Sequence, residues 1–224
     1  MGFELSIFGD SAILLTFGQE INLQVHQEIL CFVSTLKKKE ISGISGVISA
    51  YTTVTIQYDF LYISYEELVI EIKKLDYSQQ ISIEQKLVEI PVCYDDRFAL
   101  DMEYLCTYTG LTKKDVIEIH TSKNYLVYML GFTPGFFYLG GMDARLYCPR
   151  KEIPRLKITS GSVGVTGNQT GVYSVDSPGG WQLIGKTPME IFNKNSIDEC
   201  FKVKQGDLVR FVQVSLEEYN QLKK

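Results

Sequence analysis

Between residues 131 and 188 glycine and proline recur every few positions, and no apolar period of three to four residues survives for even two turns. Glycine spends conformational entropy in a helix and proline removes a helical hydrogen bond, so a long helix is excluded there. What remains compatible is a set of short strands joined by tight turns, the pattern of a β-barrel or sandwich. The stretch opens on "GFTPGFFYLGGMD" (131–143), in which Phe132, Phe136, Phe137 and Tyr138 sit among glycines. Clustered aromatics are costly to leave in water, and glycine lets backbone come close to a neighbour. Such a loop is either the lip of a pocket or a barrel corner over buried rings.

The rest of the chain brackets this region with more regular patterns. "SAILLTF" (11–17) and "TTVTIQY" (52–58) read as strands, and Ile21, Val25, Ile29, Phe32 and Leu36 form one face of a helix with Asn22 as its N-cap. Ser64 and Glu67 make a capping box ahead of Leu68, Ile72 and Leu75. These elements predict a small α+β domain over residues 1–82, two helices laid on one sheet. The polar segment "DYSQQISIEQK" (76–86) marks a boundary, and a second domain spans 83–224. There, "LVEIPV" (87–92) and "YLVYML" (125–130) predict strands. Helices are expected around 100–108 and 113–121, the latter capped by Thr112 and Asp115, and a turn at Gly206-Asp207 leads into a last strand.

Composition removes several functional classes. A net charge of −5, with no basic stripe beyond Lys37-Lys38-Lys39, argues against nucleic acid. No apolar run approaches the roughly 20 residues of a membrane span, and the acidic residues near the start do not fit a signal peptide, so a cytoplasmic protein without a membrane partner is expected. Five cysteines without paired ligand spacing read as free thiols, and two histidines signal no transition-metal site.

Polar candidates cluster in "CPRKEIPRLKITSGSVGVTGNQTGVYSVDSPGGWQLIGKTP" (148–188). Arg150 and Arg155 each follow a proline, and Gln169 and Thr170 stand between Gly167 and Gly171. A carboxamide and a hydroxyl set among approachable backbone N–H groups suit a carboxylate or amide ligand, although Gly-Asn and Thr-Gly are also ordinary turn pairs. Residues 180–187 satisfy the phosphate-loop pattern G-x-x-x-x-G-K-[ST], but Trp181, Gln182, Leu183 and Ile184 read as a strand and Pro188 forbids the helix that a phosphate loop opens. His26, beside Gln24 and Gln27, reads as a surface residue. His120 ends a helix just before the strand feeding the aromatic loop, where its charge would switch near neutral pH, as a catalytic group or as a cap.

Three of these motifs in order, "YMLGFTPGFFYLGGMD", "PRKEIPRLKITSGSVGVTGNQTGVY" and "SPGGWQLIGKTP", resemble the family comprising the B component of 5-oxoprolinase, the kinase inhibitor KipI and allophanate hydrolase subunit 1. The likeness runs from "FGDSAILLTFG" to "GDLVRF". Ser174 and Lys186 depart from the Pro and Arg usual at their positions. The resemblance implies an N-terminal α+β domain followed by a cyclophilin-like β-barrel. It also implies one component of an ATP-dependent lactam hydrolase, 5-oxoprolinase, which opens 5-oxoproline to glutamate only when its A and C components are present too. ATP would be a co-substrate of the complex, with no metal in this chain. Phe132, Pro134, Phe136 and Tyr138 would form substrate walls, Arg155, Gln169 and Thr170 polar contacts, and His120 the proton-transfer group. The alternative it implies is an inhibitor that docks on a sensor histidine kinase through Phe132, Phe136, Phe137 and Tyr138.

Overall fold

The computed structural model describes residues 2–78, 85–195 and 200–223. The chain divides into two compact units, Met1–Glu84 and Gln85–Lys224. The expected boundary, between residues 82 and 83, lies outside the described residues.

In the first unit, β1 (Glu4–Ile7), β2 (Ala12–Thr16), β3 (Ile44–Ser49) and β4 (Thr53–Tyr58) form an antiparallel sheet in the order β1-β2-β4-β3. Helix α1 (Leu23–Lys39) starts where the Asn22 side chain accepts the Val25 N–H at 2.9 Å, and its final turn carries Lys37, Lys38 and Lys39 at the negative end of the helix dipole. Helix α2 (Tyr65–Lys73) begins at the reciprocal Ser64–Glu67 box. Ile29, Phe32 and Leu36 from α1 and Leu68 and Ile72 from α2 bury against Ile13, Leu15, Val54 and Ile56 of the sheet. His26 belongs to the buried face of α1, 1% exposed, not to the surface that its sequence neighbours suggested. Three and seven residues on from it lie Ile29 and Val33, so the helical period carries it inward. Burial lowers its pKa to about 4.

The second unit is α+β with a barrel at its centre. Strands β5 (Leu87–Val92), β6 (Asn124–Leu130), β7 (Phe137–Gly140), β9 (Ser162–Thr166), β10 (Gln169–Val172), β12 (Gln182–Lys186) and β13 (Leu208–Gln213) are ordered β12-β9-β10-β7-β6-β13-β5. The sheet all but closes on itself, because the Cys93 and Lys186 main chains exchange N–H···O bonds of 2.8 and 2.9 Å just beyond the end of β5. Pro91 is tolerated in β5 because that strand pairs along its length on one side only, with β13. Helices α3 (Met102–Thr109) and α4 (Lys113–Thr121, with its Thr112–Asp115 box) contribute to the barrel core, α5 (Leu216–Leu222) follows β13, and β8 (Arg155–Ile158) pairs with β11 (Ser177–Gly179) apart from the main sheet. Residues 182–186 are strand, as their side chains required, and residues 187–195 form no helix.

Candidate functional site

The chain leaves β6 at Leu130 and returns in β7 through a tight loop. Phe132 has φ +71° and the Thr133 N–H donates to the Gly131 carbonyl at 3.0 Å, the three-residue ring of a positive-φ γ-turn that a bulky residue rarely adopts. The loop is held in place: Phe136 N–H donates to Thr133 O, Gly131 N–H to Phe136 O, and the Ser174 hydroxyl to Pro134 O at 2.6 Å. Ser174, where the related motif has proline, thus supplies an anchor that proline lacks. Phe132 is 60% exposed and Pro134 is also exposed, so the strained turn presents both to solvent.

Strand alternation then sorts the aromatics. Phe137 and Leu139 point into the barrel core, whereas Phe136 and Tyr138 face the other way. Phe137 is fully buried and cannot serve as a docking anchor, which corrects the expectation for it. Phe136 is 1% exposed, at the centre of a second cluster with Tyr173, Trp181, Ile158 and Leu183, and the half-buried Tyr138 packs against it. Its ring centroid lies 5.5 Å from Phe132, 4.9 Å from Tyr138, 5.5 Å from Tyr173 and 5.4 Å from Trp181, all edge-on. The electropositive ring edges thereby meet electronegative faces. The cluster rests on paired Gly164 and Gly171. A Cβ on Gly171 would stand 3.0 Å from the Phe137 carbonyl oxygen and 3.2 Å from Trp181 Cζ3, so only glycine lets the indole lie this close to the strand. The corner over buried rings is therefore what the loop forms, with Phe132 exposed and Tyr138 half-buried at its margin.

Cations border this cluster. Arg155 makes a fork to Asp101, Nη1 to Oδ2 and Nη2 to Oδ1 at 2.8 Å each, while Lys151 Nζ reaches Oδ1 at 3.0 Å and the Leu183 N–H reaches Oδ2 at 2.7 Å. Burial would raise the Asp101 pKa, but Arg155, the Leu183 N–H and Lys151 together outweigh it and hold the carboxyl below its usual range. Arg155 therefore spends its fork on an internal carboxylate, in place of the open ligand contact expected of it. Arg150 is exposed, and no ion pair or hydrogen bond among the described residues uses it. Its charge reaches Tyr138 and Tyr173, opposing the upward push of burial on both phenols. Lys186, the cation of the phosphate-loop pattern, donates to Thr159 Oγ1 at 2.6 Å and leans over the Phe98 ring.

His120 and Thr170 belong to the barrel interior. His120 is 0% exposed, stacked on Phe211 at 4.3 Å and flanked by Tyr94 and Tyr125. Its Nε2 is 2.8 Å from Thr170 Oγ1, and Nδ1 is 2.7 Å from Tyr94 Oη. The Thr170 hydroxyl donates to Gly164 O at 3.1 Å, so it accepts from the ring; Nε2 carries the proton and Tyr94 donates to Nδ1. Every partner in this chain is satisfied with a neutral imidazole. Burial lowers the His120 pKa to about 3, which corrects the expectation of a charge switching near neutrality: the helix end favours the cation far less than desolvation opposes it. Gln169, half-buried, pairs with Thr166 in the β9–β10 hairpin. The expected residues are thus not brought to one place: Phe136 and Tyr138 share the outer cluster, His120 and Thr170 meet inside the barrel, Phe132 and Pro134 stand on the exposed turn, and Arg155 lies on β8. Trp181, Tyr173, Tyr94 and Asp101 were missed; for Trp181 the flanking glycines were a signal, whereas Asp101 and Tyr94 depend on partners dozens of residues away.

The molecule is thus an α+β protein whose barrel carries a cation-bordered aromatic cluster on its outer wall and a neutral histidine inside. The chain belongs to the carboxyltransferase-domain family, subdomains C and D, whose family model matches residues 3–202. It is 38% identical to the B component of Bacillus subtilis 5-oxoprolinase over 99% of this chain and 97% of that protein, and 32% identical to the same component from Haemophilus influenzae over 93% and 96%. Among solved structures, TTHA0988 superposes with a TM-score of 0.82 at 31% identity over 91% of this chain, which spans 40% of that longer protein. The Kluyveromyces lactis urea amidolyase shares the fold at 21% identity and a TM-score of 0.79, over 98% of this chain and 15% of that one.

Proposed function

We propose that this chain is the B component of an ATP-dependent lactam hydrolase, acting with the A and C components of 5-oxoprolinase to open 5-oxoproline to glutamate. The observation that carries the reading is the 38% identity, end to end, with a protein named as the B component of 5-oxoprolinase. The geometry is compatible with it. A five-membered lactam is resonance-stabilised, and ATP supplies a leaving group by phosphorylating the amide oxygen. This chain's share is to hold a small planar carboxylate against the half-buried Tyr138, which rests on the buried Phe136 and Trp181, and beside cations. His120 in this reading is a positioning residue: through Thr170 it fixes the strand beneath Gly171 and the indole, and it carries no proton to substrate. Phe132 and Pro134, exposed at the strained turn, face a partner protein of the complex. The kinase-docking alternative needed four aromatic anchors, of which Phe136 and Phe137 are buried, and it ranks second for that reason.

The test is co-expression with a candidate C component, gel filtration, and 5-oxoproline-dependent ATP hydrolysis on addition of the A component. A stable complex active only when all three are present is expected. Turnover by the purified chain alone, or none by the assembled complex, would refute the proposal.

A further inference from the structure

Arg150 follows the Cys148–Gly167 bridge and stands at the open margin of the aromatic cluster. Three cations meet there, and the buried carboxylate, Asp101, already accepts from Lys151, from both arms of Arg155 and from the Leu183 N–H. Its acceptor capacity is used up, and Arg150 has no share in it. Glu152, exposed two residues further on, makes no ion pair with Arg150. The backbone before Arg150 is held by Gln182, whose Nε2 donates to Pro149 O at 3.1 Å, while Gln182 Oε1, buried, has no partner among the described residues. On the other side stands Gly180: a Cβ there would be 3.6 Å from Arg150 Nε and 3.7 Å from Nη2, and its absence leaves that edge of the guanidinium uncovered.

We propose that Arg150, not Arg155, receives the carboxylate of a small planar ligand that lies against the half-buried Tyr138, at the margin of the buried Phe136–Trp181 cluster. This rests on the functional reading above and names the residue that recognises the acid. A guanidinium offers two parallel N–H donors to a carboxylate, and it is available for that only where no internal acid has claimed it. Arg155 is then a positioning residue that ties β8 to the start of α3 through Asp101.

The experiment compares wild type, Arg150→Gln, Arg150→Lys and Arg155→Gln in the assembled complex. Arg150→Gln should raise KM for 5-oxoproline about 10- to 100-fold with an unchanged unfolding midpoint, since a charge-assisted bond is lost and no internal contact is. Arg150→Lys should recover part of the loss, and Arg155→Gln should lower the midpoint. Wild type should bind 5-oxoproline better than 2-pyrrolidinone, which lacks the carboxylate, and Arg150→Gln should erase that preference. Normal KM and preference in Arg150→Gln, with an active complex, would overturn the assignment and leave the function standing. If the complex does not turn over 5-oxoproline, the full chain is titrated with 5-oxoproline, L-glutamate and acetate while the Arg150 Nε–H resonance is followed by NMR. A shift with carboxylates and none with chloride would uphold Arg150 while the function falls; no shift with any of them would overturn it.

Discussion

Lowering the pH from 8 to 5 should destabilise the barrel unit by about 2 kcal/mol through His120 alone. In the unfolded chain the imidazole takes up a proton near pH 6.5, whereas in the fold burial holds its pKa at about 3. The folded value lies below the unfolded one, so stability is fully present above pH 6.5 and falls as pH drops toward 3. Each pH unit within that window costs about 1.4 kcal/mol, hence about 2 kcal/mol at pH 5. Depressed carboxylates such as Asp95, at about 2, contribute nothing here, because above pH 5 they are ionised in both states. The assay is urea unfolding followed by fluorescence of Trp181, the single tryptophan, which lies in the same unit as His120. His120→Gln cannot titrate and should lose most of the difference between pH 8 and 5, whatever its absolute stability. His26→Gln, in the other unit, should leave the Trp181 transition's pH dependence intact. If His120→Gln keeps the full wild-type dependence, the neutral, tethered histidine derived above is wrong.

Other perturbations separate strain, packing and charge. Phe132→Gly should be more stable than Phe132→Ala by about 1 kcal/mol by thermal unfolding, since both lose the ring and only glycine relieves the positive φ. Gly171→Val should lower stability by about 1–3 kcal/mol through overpacking against the Phe137 carbonyl and Trp181, and should alter the tryptophan emission. Asp101→Asn should cost about 2 kcal/mol or more by urea unfolding, below the ~3–5 kcal/mol of a fully buried pair because the Lys151 and Arg155 side chains keep 30% and 24% exposure. Tyr94→Phe removes the donor to His120 Nδ1 and should cost about 1–3 kcal/mol, with the Nε2–H tautomer's NMR signature disturbed.

What was legible in the sequence was local. Asn22, Ser64–Glu67 and Thr112–Asp115 announced three helix starts because a cap and its partner lie within four residues. Glycine and proline spacing narrowed the second unit to a barrel or a sandwich, and the family resemblance implied the barrel. Strands β1 and β3 were not anticipated: the first is four residues long and the second, "ISGVIS", has glycine in its middle and neither face fully buried. The site was half legible. Residue types at 132–138 marked an aromatic surface, but which rings face out depends on the register of β7 against β6, shifted by an irregularity between Val127 and Met129. The fate of Arg155 depended on Asp101, 54 positions earlier, and that pairing has no signature in the intervening chain.

The near-closure of the barrel also orders events during synthesis. β5 pairs along its length only with β13, and Lys86 N–H meets the Asp207 carboxylate across 121 residues. A nascent chain that has emerged only as far as β12 has β5 without its ladder partner and β6 bonded on one side. Loop-closure entropy of this size is repaid late, and bare strand edges invite pairing with other chains until it is. The ribosome therefore releases this unit's stability almost all at once, with β13, and the interval before that strand appears is when a holdase would be needed.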